Sequence, residues 1–275
     1  MSDQNRTLLA LPWLMRPIIR LFIARGVQLP AVMATLKQIY VDVATNDFKI
    51  DDKPLTDSRV SVLTGVHRRD VRSIRKDGMP SSQPPPMSLS ATVIGRWLGD
   101  PTYRDKKGQP RILHRLSDGG SPSFEELFQH VSKDVHPRTV LDDLIDQELI
   151  DWDEDSDRVR LRTRAFVPVA GGEDAMRFFE MNLHDHLAAA VSNLLKDDQQ
   201  GRFLERAVYY NELTTASVDK IENEAQELGE KILNDLNVKA LQLQESDDSS
   251  TEATERFRFG LFFYREDDNA KGDLS

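Results

Sequence analysis

Thr56-Asp57-Ser58-Arg59-Val60-Ser61-Val62-Leu63-Thr64-Gly65-Val66-His67-Arg68-Arg69-Asp70-Val71-Arg72-Ser73-Ile74-Arg75-Lys76 is the stretch on which the fold turns. It reads as two short helices joined by a tight turn. Thr56, Asp57 and Ser58 carry side-chain oxygens that accept the orphan amide protons of a first helical turn. Val60 and Leu63, three apart, share one face of a helix running to Thr64. Gly65 falls where the chain must reverse, and glycine takes such a turn without steric cost. A second helix starts near His67 and turns Val71 and Ile74 inward, with Val66 at the turn. This is the pattern of a helix-turn-helix, whose second helix lies in the DNA major groove.

With Val71 and Ile74 buried, that second helix presents His67, Arg68, Arg69, Arg72, Ser73 and Lys76 outward, with Arg75 at the edge. Ser58 and Arg59, at the start of the first helix, complete the expected DNA-binding set. The arginine fork matches the O6/N7 edge of guanine, and arginine and lysine both neutralise phosphate. The plainer reading is a basic, solvated hairpin inside a helical domain.

Charge separates along the chain in a way that agrees with a nucleic-acid partner at one end. The net charge of -10 divides into +5 for residues 1–80, -3 for residues 81–168 and -12 for residues 169–275. That is the asymmetry expected when one module meets phosphate and another stays clear of it. The absence of cysteine excludes disulfides, thiolate zinc sites and cysteine nucleophiles, and suits a reducing cytosol. At 275 residues and 39% apolar, the chain has room for two or three small domains. The region from Leu8 to Ala24 is apolar enough to raise a membrane question. Its Pro12, Pro17, Arg16 and Arg20 fit neither an uncharged spanning helix nor a secretory signal, which leaves a surface-lying amphipathic helix as the membrane option.

Read in order, Leu9 to Ala24 is a helix kinked or begun at a proline, with Trp13 and Phe22 as core aromatics. Pro30 opens a second helix with Val32, Met33, Leu36, Ile39, Tyr40 and Val43 inward, and the two helices supply a core for the helix-turn-helix in a domain spanning 1–78. A proline-rich spacer covers 79–87. From Ser88 to Pro168 come a helix around Trp97, a capping box at Ser123-Phe124-Glu125-Glu126, a helix begun by Pro137, and two strands around the turn at 154–157. That order describes a winged-helix-like module. Its second helix exposes Asp142, Asp143, Asp146 and Glu148, carboxylates that repel phosphate, so it is expected to pack on protein instead. Arg158, Arg160, Arg162 and Arg164 recur at spacing two, on one strand face. The stripe either pairs with acidic neighbours or lies along phosphate.

Residues 169–267 read as an α/β assembly or effector module: long helices at 176–195 and 218–241, and strands at 206–210 and 256–264. Gln244 to Thr254 is expected as a loop, and 268–275 as a disordered tail. The fold class is thus mainly α with small β elements.

Four stretches also carry a resemblance: Leu36 to Val41, Ser58 to Val71, Val93 to Trp97, and Ala165 to Pro168. Through them most of the chain resembles an uncharacterised proteobacterial family, a domain of unknown function with an N-terminal helix-turn-helix. The resemblance implies no activity. No phosphate-cradling glycine loop, HExxH or G-x-S-x-G is present, and His184-Asp185-His186 has the wrong spacing for chelation on a helix. No catalytic residue, metal or cofactor is expected. The expectation is a cytoplasmic, sequence-specific transcriptional regulator that binds double-stranded DNA as a homodimer through its C-terminal half, makes no membrane contact, and leaves any small-molecule effector unidentified. The alternative is a non-enzymatic adaptor whose modules contact only protein.

Overall fold

Two helices precede the quoted stretch in the computed structural model, α1 (Asp3–Ala24) and α2 (Leu29–Asn46), and the stretch itself forms α3 (Asp57–Thr64) and α4 (Arg68–Asp77). The structure describes residues 2–49, 53–78, 87–162, 173–195 and 201–267. The proline run at 79–86, Arg164 and the tail past Asp267 lie outside them. Two compact units result, Met1–Gln83 and Pro84–Ser275.

The first unit has a small core: Val41, Ala44, Leu55, Val60, Val66 and Val71, with Ile74 packed against it. Helices of 8 and 10 residues span only about 12 and 15 Å. They therefore cover just the C-terminal part of α2. Val41 and Ala44 are its buried residues, whereas Met33, Ile39, Tyr40 and Val43, expected inward, are exposed. Leu63 also departs from expectation at 52% exposed. The inner face of α3 runs from Val60 to Thr64, whose Oγ1 donates to the Val60 carbonyl and accepts from the Val66 amide. Helix α1 is continuous, with Pro12 and Pro17 both inside it, and buries no residue. Trp13 is 78% exposed and is not a core aromatic. By length and composition alone α1 suffices to cross a membrane, at a mean hydropathy of 1.5 over its most apolar window, although Arg16 and Arg20 lie mid-helix.

The second unit begins with α5 (Leu89–Gly99), β1 (Leu113–His114), α6 (Phe124–Gln129), α7 (Pro137–Asp146), β2 (Ile150–Asp153) and β3 (Arg158–Leu161). The three helices and the hairpin read from the sequence are present, and a two-residue strand is added between the first and second of those helices. The antiparallel sheet runs β1-β3-β2, with Trp152 opposite Val159 and Leu113 on the other side of Val159. Strand β1 was not foreseen, since two residues show no alternation. The capping box forms: the Glu126 amide donates to Ser123 Oγ, and the Ser123 amide to Glu126 Oε2. Trp97, Phe124, Leu127, Phe128, Leu141 and Leu144 fill the core, and Trp97 Nε1 donates to the Arg111 carbonyl.

Two longer helices complete this unit, α8 (Glu173–Leu195) and α9 (Thr215–Asp247). Helix α9 packs on α5, where Asn237 Nδ2 donates to the Gly95 carbonyl at 2.8 Å and Arg96 pairs with Glu245 at 2.8 Å. A Cβ on Gly99 would lie 2.7 Å from Asn237 Nδ2, so glycine permits this approach. The regions 88–168 and 169–267, read as separate modules from sequence, therefore belong to one unit.

The C-terminal α/β arrangement is corrected to helices plus unpaired segments. Residues 201–211 and 253–267 contain no helix, turn or strand ladder. β-propensity needs a neighbouring strand to express itself, and among the described residues neither segment has one. Side chains hold them instead. Asn193 brackets Phe203, accepting from its amide and donating to its carbonyl. Arg256 and Arg258 both clamp Asp185, and Arg265 pairs with Asp219 and Glu222. Helix α9 also extends to Asp247, replacing the start of the expected loop.

Arg256 first, then His184 and Arg258, hold the Asp185 carboxyl far below the usual carboxylate range. A depressed folded pKa contributes stability that is fully present above the unfolded value, about 4, and lost as pH falls from there towards the folded value. Thermal melts from pH 7 to pH 3 are expected to show a smaller acid loss for Asp185→Asn than for wild type, with the variant already less stable at pH 7.

Candidate nucleic-acid interface

Local chemistry fixes how α3 and α4 meet. Thr56 Oγ1 accepts from the Arg59 amide at 3.3 Å and starts α3. Gly65 ends it in the left-handed region, at φ +74°, with its N–H donating to the Ser61 carbonyl at 2.9 Å. His67 Nδ1 accepts from the Arg69 amide at 3.2 Å and starts α4, which requires that ring nitrogen to be unprotonated. Val71 is fully buried and Ile74 half-buried beneath.

The outer face of α4 carries most of the residues read from the sequence. His67, Arg68, Arg69, Arg72, Ser73 and Lys76 are exposed, as are Ser58 and Arg59 on α3. Among the described residues, Arg59, Arg68, Arg69 and Lys76 have no hydrogen-bond or ion-pair partner through their side chains. Ser73 Oγ donates to Asp77 at 3.2 Å, and Asp70 is neutralised by Lys37 at 3.4 Å.

Arg75 leaves the expected set. Its guanidinium donates to Asp57 Oδ1 at 2.8 Å, the Leu55 carbonyl at 2.8 Å and Thr45 Oγ1 at 3.1 Å. It thus ties the end of α2 and the start of α3 to α4. Arg72 Nε lies 3.5 Å from the other Asp57 oxygen, yet its side chain stays 71% exposed and open to a ligand. Arg75 first, then Arg72, pull the Asp57 carboxyl below its ordinary value. Nothing local to residues 56–76 signals the Leu55 and Thr45 contacts.

In the second unit, α7 keeps the acidic character expected of it. Asp143 and Asp146 are exposed, and Arg138 is drawn into a 2.8 Å pair with Asp142. The guanidinium of Arg138 also lies 4.6 Å from the Trp152 ring centre. On β3, Arg158 and Arg160 point outward, while Arg162 approaches Asp151 and Glu148 at 3.7 and 3.9 Å. Among the described residues there is no group of three side chains suited to hold a metal ion, and Asp185 of the histidine triplet is engaged by arginine.

A family model spans residues 6–273 of the sequence. The chain belongs to DUF6502, a family of unknown function. No curated protein and no solved structure matches it.

Arg75 and Arg68 are expected to separate fold from surface. Arg75→Ala removes charge-assisted bonds from a half-buried position. It should cost about 1–3 kcal/mol, read as faster native-state hydrogen exchange across α2, α3 and α4. Arg68→Ala should stay within about 0.5 kcal/mol.

Proposed function

We propose that this protein is a sequence-specific transcriptional regulator that binds double-stranded DNA by laying α4 in the major groove. The observation that carries the reading is the outer face of α4: Arg68, Arg69 and Lys76 lie exposed, without partners among the described residues, over a helix held from beneath by Val71. Arg68 and Arg69 sit in the first turn of α4, where the positive end of the helix dipole repels them. An arriving phosphate or guanine edge relieves that repulsion. Arg59, exposed at the start of α3, is placed to neutralise backbone phosphate. The -12 balance of residues 169–275 keeps that part of the chain away from the duplex. In this reading the protein works in the cytosol, without cofactor, catalysis or membrane contact. A non-enzymatic adaptor is the second reading, favoured by the acidic outer face of α7 at Asp143 and Asp146.

Selection of bound duplexes from a random library, followed by anisotropy titrations at several salt concentrations, tests the proposal. Arg68→Ala is expected to lose about 1–3 kcal/mol and relax the selected sequence. Lys76→Ala should weaken all duplexes alike and reduce the salt slope by about 1. A wild-type protein that enriches no sequence and shows no salt-dependent duplex binding would leave the adaptor.

A further inference from the structure

Arg6, Leu9, Trp13, Arg16, Arg20 and Ile23 recur along α1 at intervals of three and four, which puts all of them on one face of the helix. Leu9, Trp13 and Ile23 are 67, 78 and 72% exposed. The arginines between them are exposed too, and none has a carboxylate partner among the described residues. On the opposite side Met15, Ile18 and Phe22 are half-buried, so the stripe is the outward face of α1. Its surroundings in sequence carry charge of one sign only. Residues 4–41 hold five Lys/Arg and no Asp/Glu.

We propose that this face binds an anionic bilayer. Helix α1 lies along the surface, with Leu9, Trp13 and Ile23 at the boundary between headgroups and acyl chains and Arg6, Arg16 and Arg20 at the lipid phosphates. Whatever covers the stripe has to be apolar and anionic at the same depth. A protein groove that buried Trp13 would bury Arg16 with it, one turn on, and an unpaired guanidinium there is costly. A second copy brings the same arginines and no carboxylate within 4–41 to meet them, so like charges would face each other. A nucleic-acid duplex offers phosphate but no apolar layer for Trp13. The lipid interface supplies both. Arginine stems lie along the acyl chains while their guanidiniums stay at phosphate level, and tryptophan settles at headgroup depth. Spanning would instead carry Arg16 and Arg20 into the hydrocarbon. The arginines that disfavour a spanning helix thus suit a surface-lying one, and this contact replaces the expectation of none with a membrane. DNA binding by α4 neither requires it nor depends on it.

The test is co-sedimentation of the full chain with vesicles of phosphatidylcholine alone or with about one-third phosphatidylserine. Binding is expected to be at least about 10-fold stronger to the anionic vesicles and to weaken with salt. Arg16→Gln/Arg20→Gln should weaken it about 5-fold for each charge, roughly 30-fold together. Leu9→Ser/Trp13→Ser/Ile23→Ser should abolish it. Both variants should keep the wild-type circular dichroism and melting temperature, because the residues changed are exposed. Lipids brominated near the top of the acyl chain should quench Trp13, and Trp13→Phe should still bind but lose that quenching. Arg68→Ala/Arg69→Ala should still sediment with the anionic vesicles. A wild type that ignores anionic vesicles, binds neutral ones equally, or loses binding only when the α4 arginines are changed would overturn the proposal. So would a wild-type dimer in sedimentation equilibrium that the triple serine variant takes apart, since that assigns the face to a second copy.

Discussion

The Arg75–Asp57 pair fixes what the first unit can present to anything else. One guanidinium gathers a carboxylate from the start of α3, a carbonyl from Leu55 and a hydroxyl from the end of α2. With six small or medium apolar side chains as its buried core, the unit has little other means of fixing the angle between α3 and α4. The same contact divides the arginines of α4 into two kinds. Arg75 is consumed by the fold, Arg72 is shared, and Arg68 and Arg69 are left to the solvent side. A basic helix becomes a usable surface only when some of its charge is spent inward and the remainder is aimed outward.

The second unit follows a different logic. Its core is larger and built around Trp97, Phe124 and Phe128, and several of its charged groups are paired within the unit. Arg115 meets Asp157, Arg138 meets Asp142, and Arg96 bridges Asp100 and Glu245. Helix α7 exposes Asp143 and Asp146 and is stapled by Arg138 against Trp152. Exposed helices therefore carry opposite charge in the two units, and fold alone assigns neither a function. Helix α9, returning across α5, is joined to the central sheet module, since the Gly95 carbonyl accepts from Asn237 and Gly99 leaves room for it.

Much of this was legible from local sequence. Thr56, Gly65, Ser123 with Glu126, and Pro137 marked helix ends because capping and turn chemistry act within four residues. The spacing of Val159 and Leu161 against Arg158 and Arg160 gave the two faces of β3 for the same reason. The exposed half of the candidate interface followed from placing Val71 and Ile74 inward. Burial across elements was less legible: Trp13, Leu63 and the first half of α2 have the composition of core, but no element among the described residues covers them.

By itself, then, the sequence determined the helices, their caps, the hairpin at 150–161 and the sign of each exposed face, all set by interactions of short range along the chain. Tertiary structure alone decided that Arg75 is a strut, that α9 joins α5, and that 204–211 and 256–264 join no strand ladder among the described residues. Each of those depends on what lies alongside in space, and neither propensity nor periodicity carries that information.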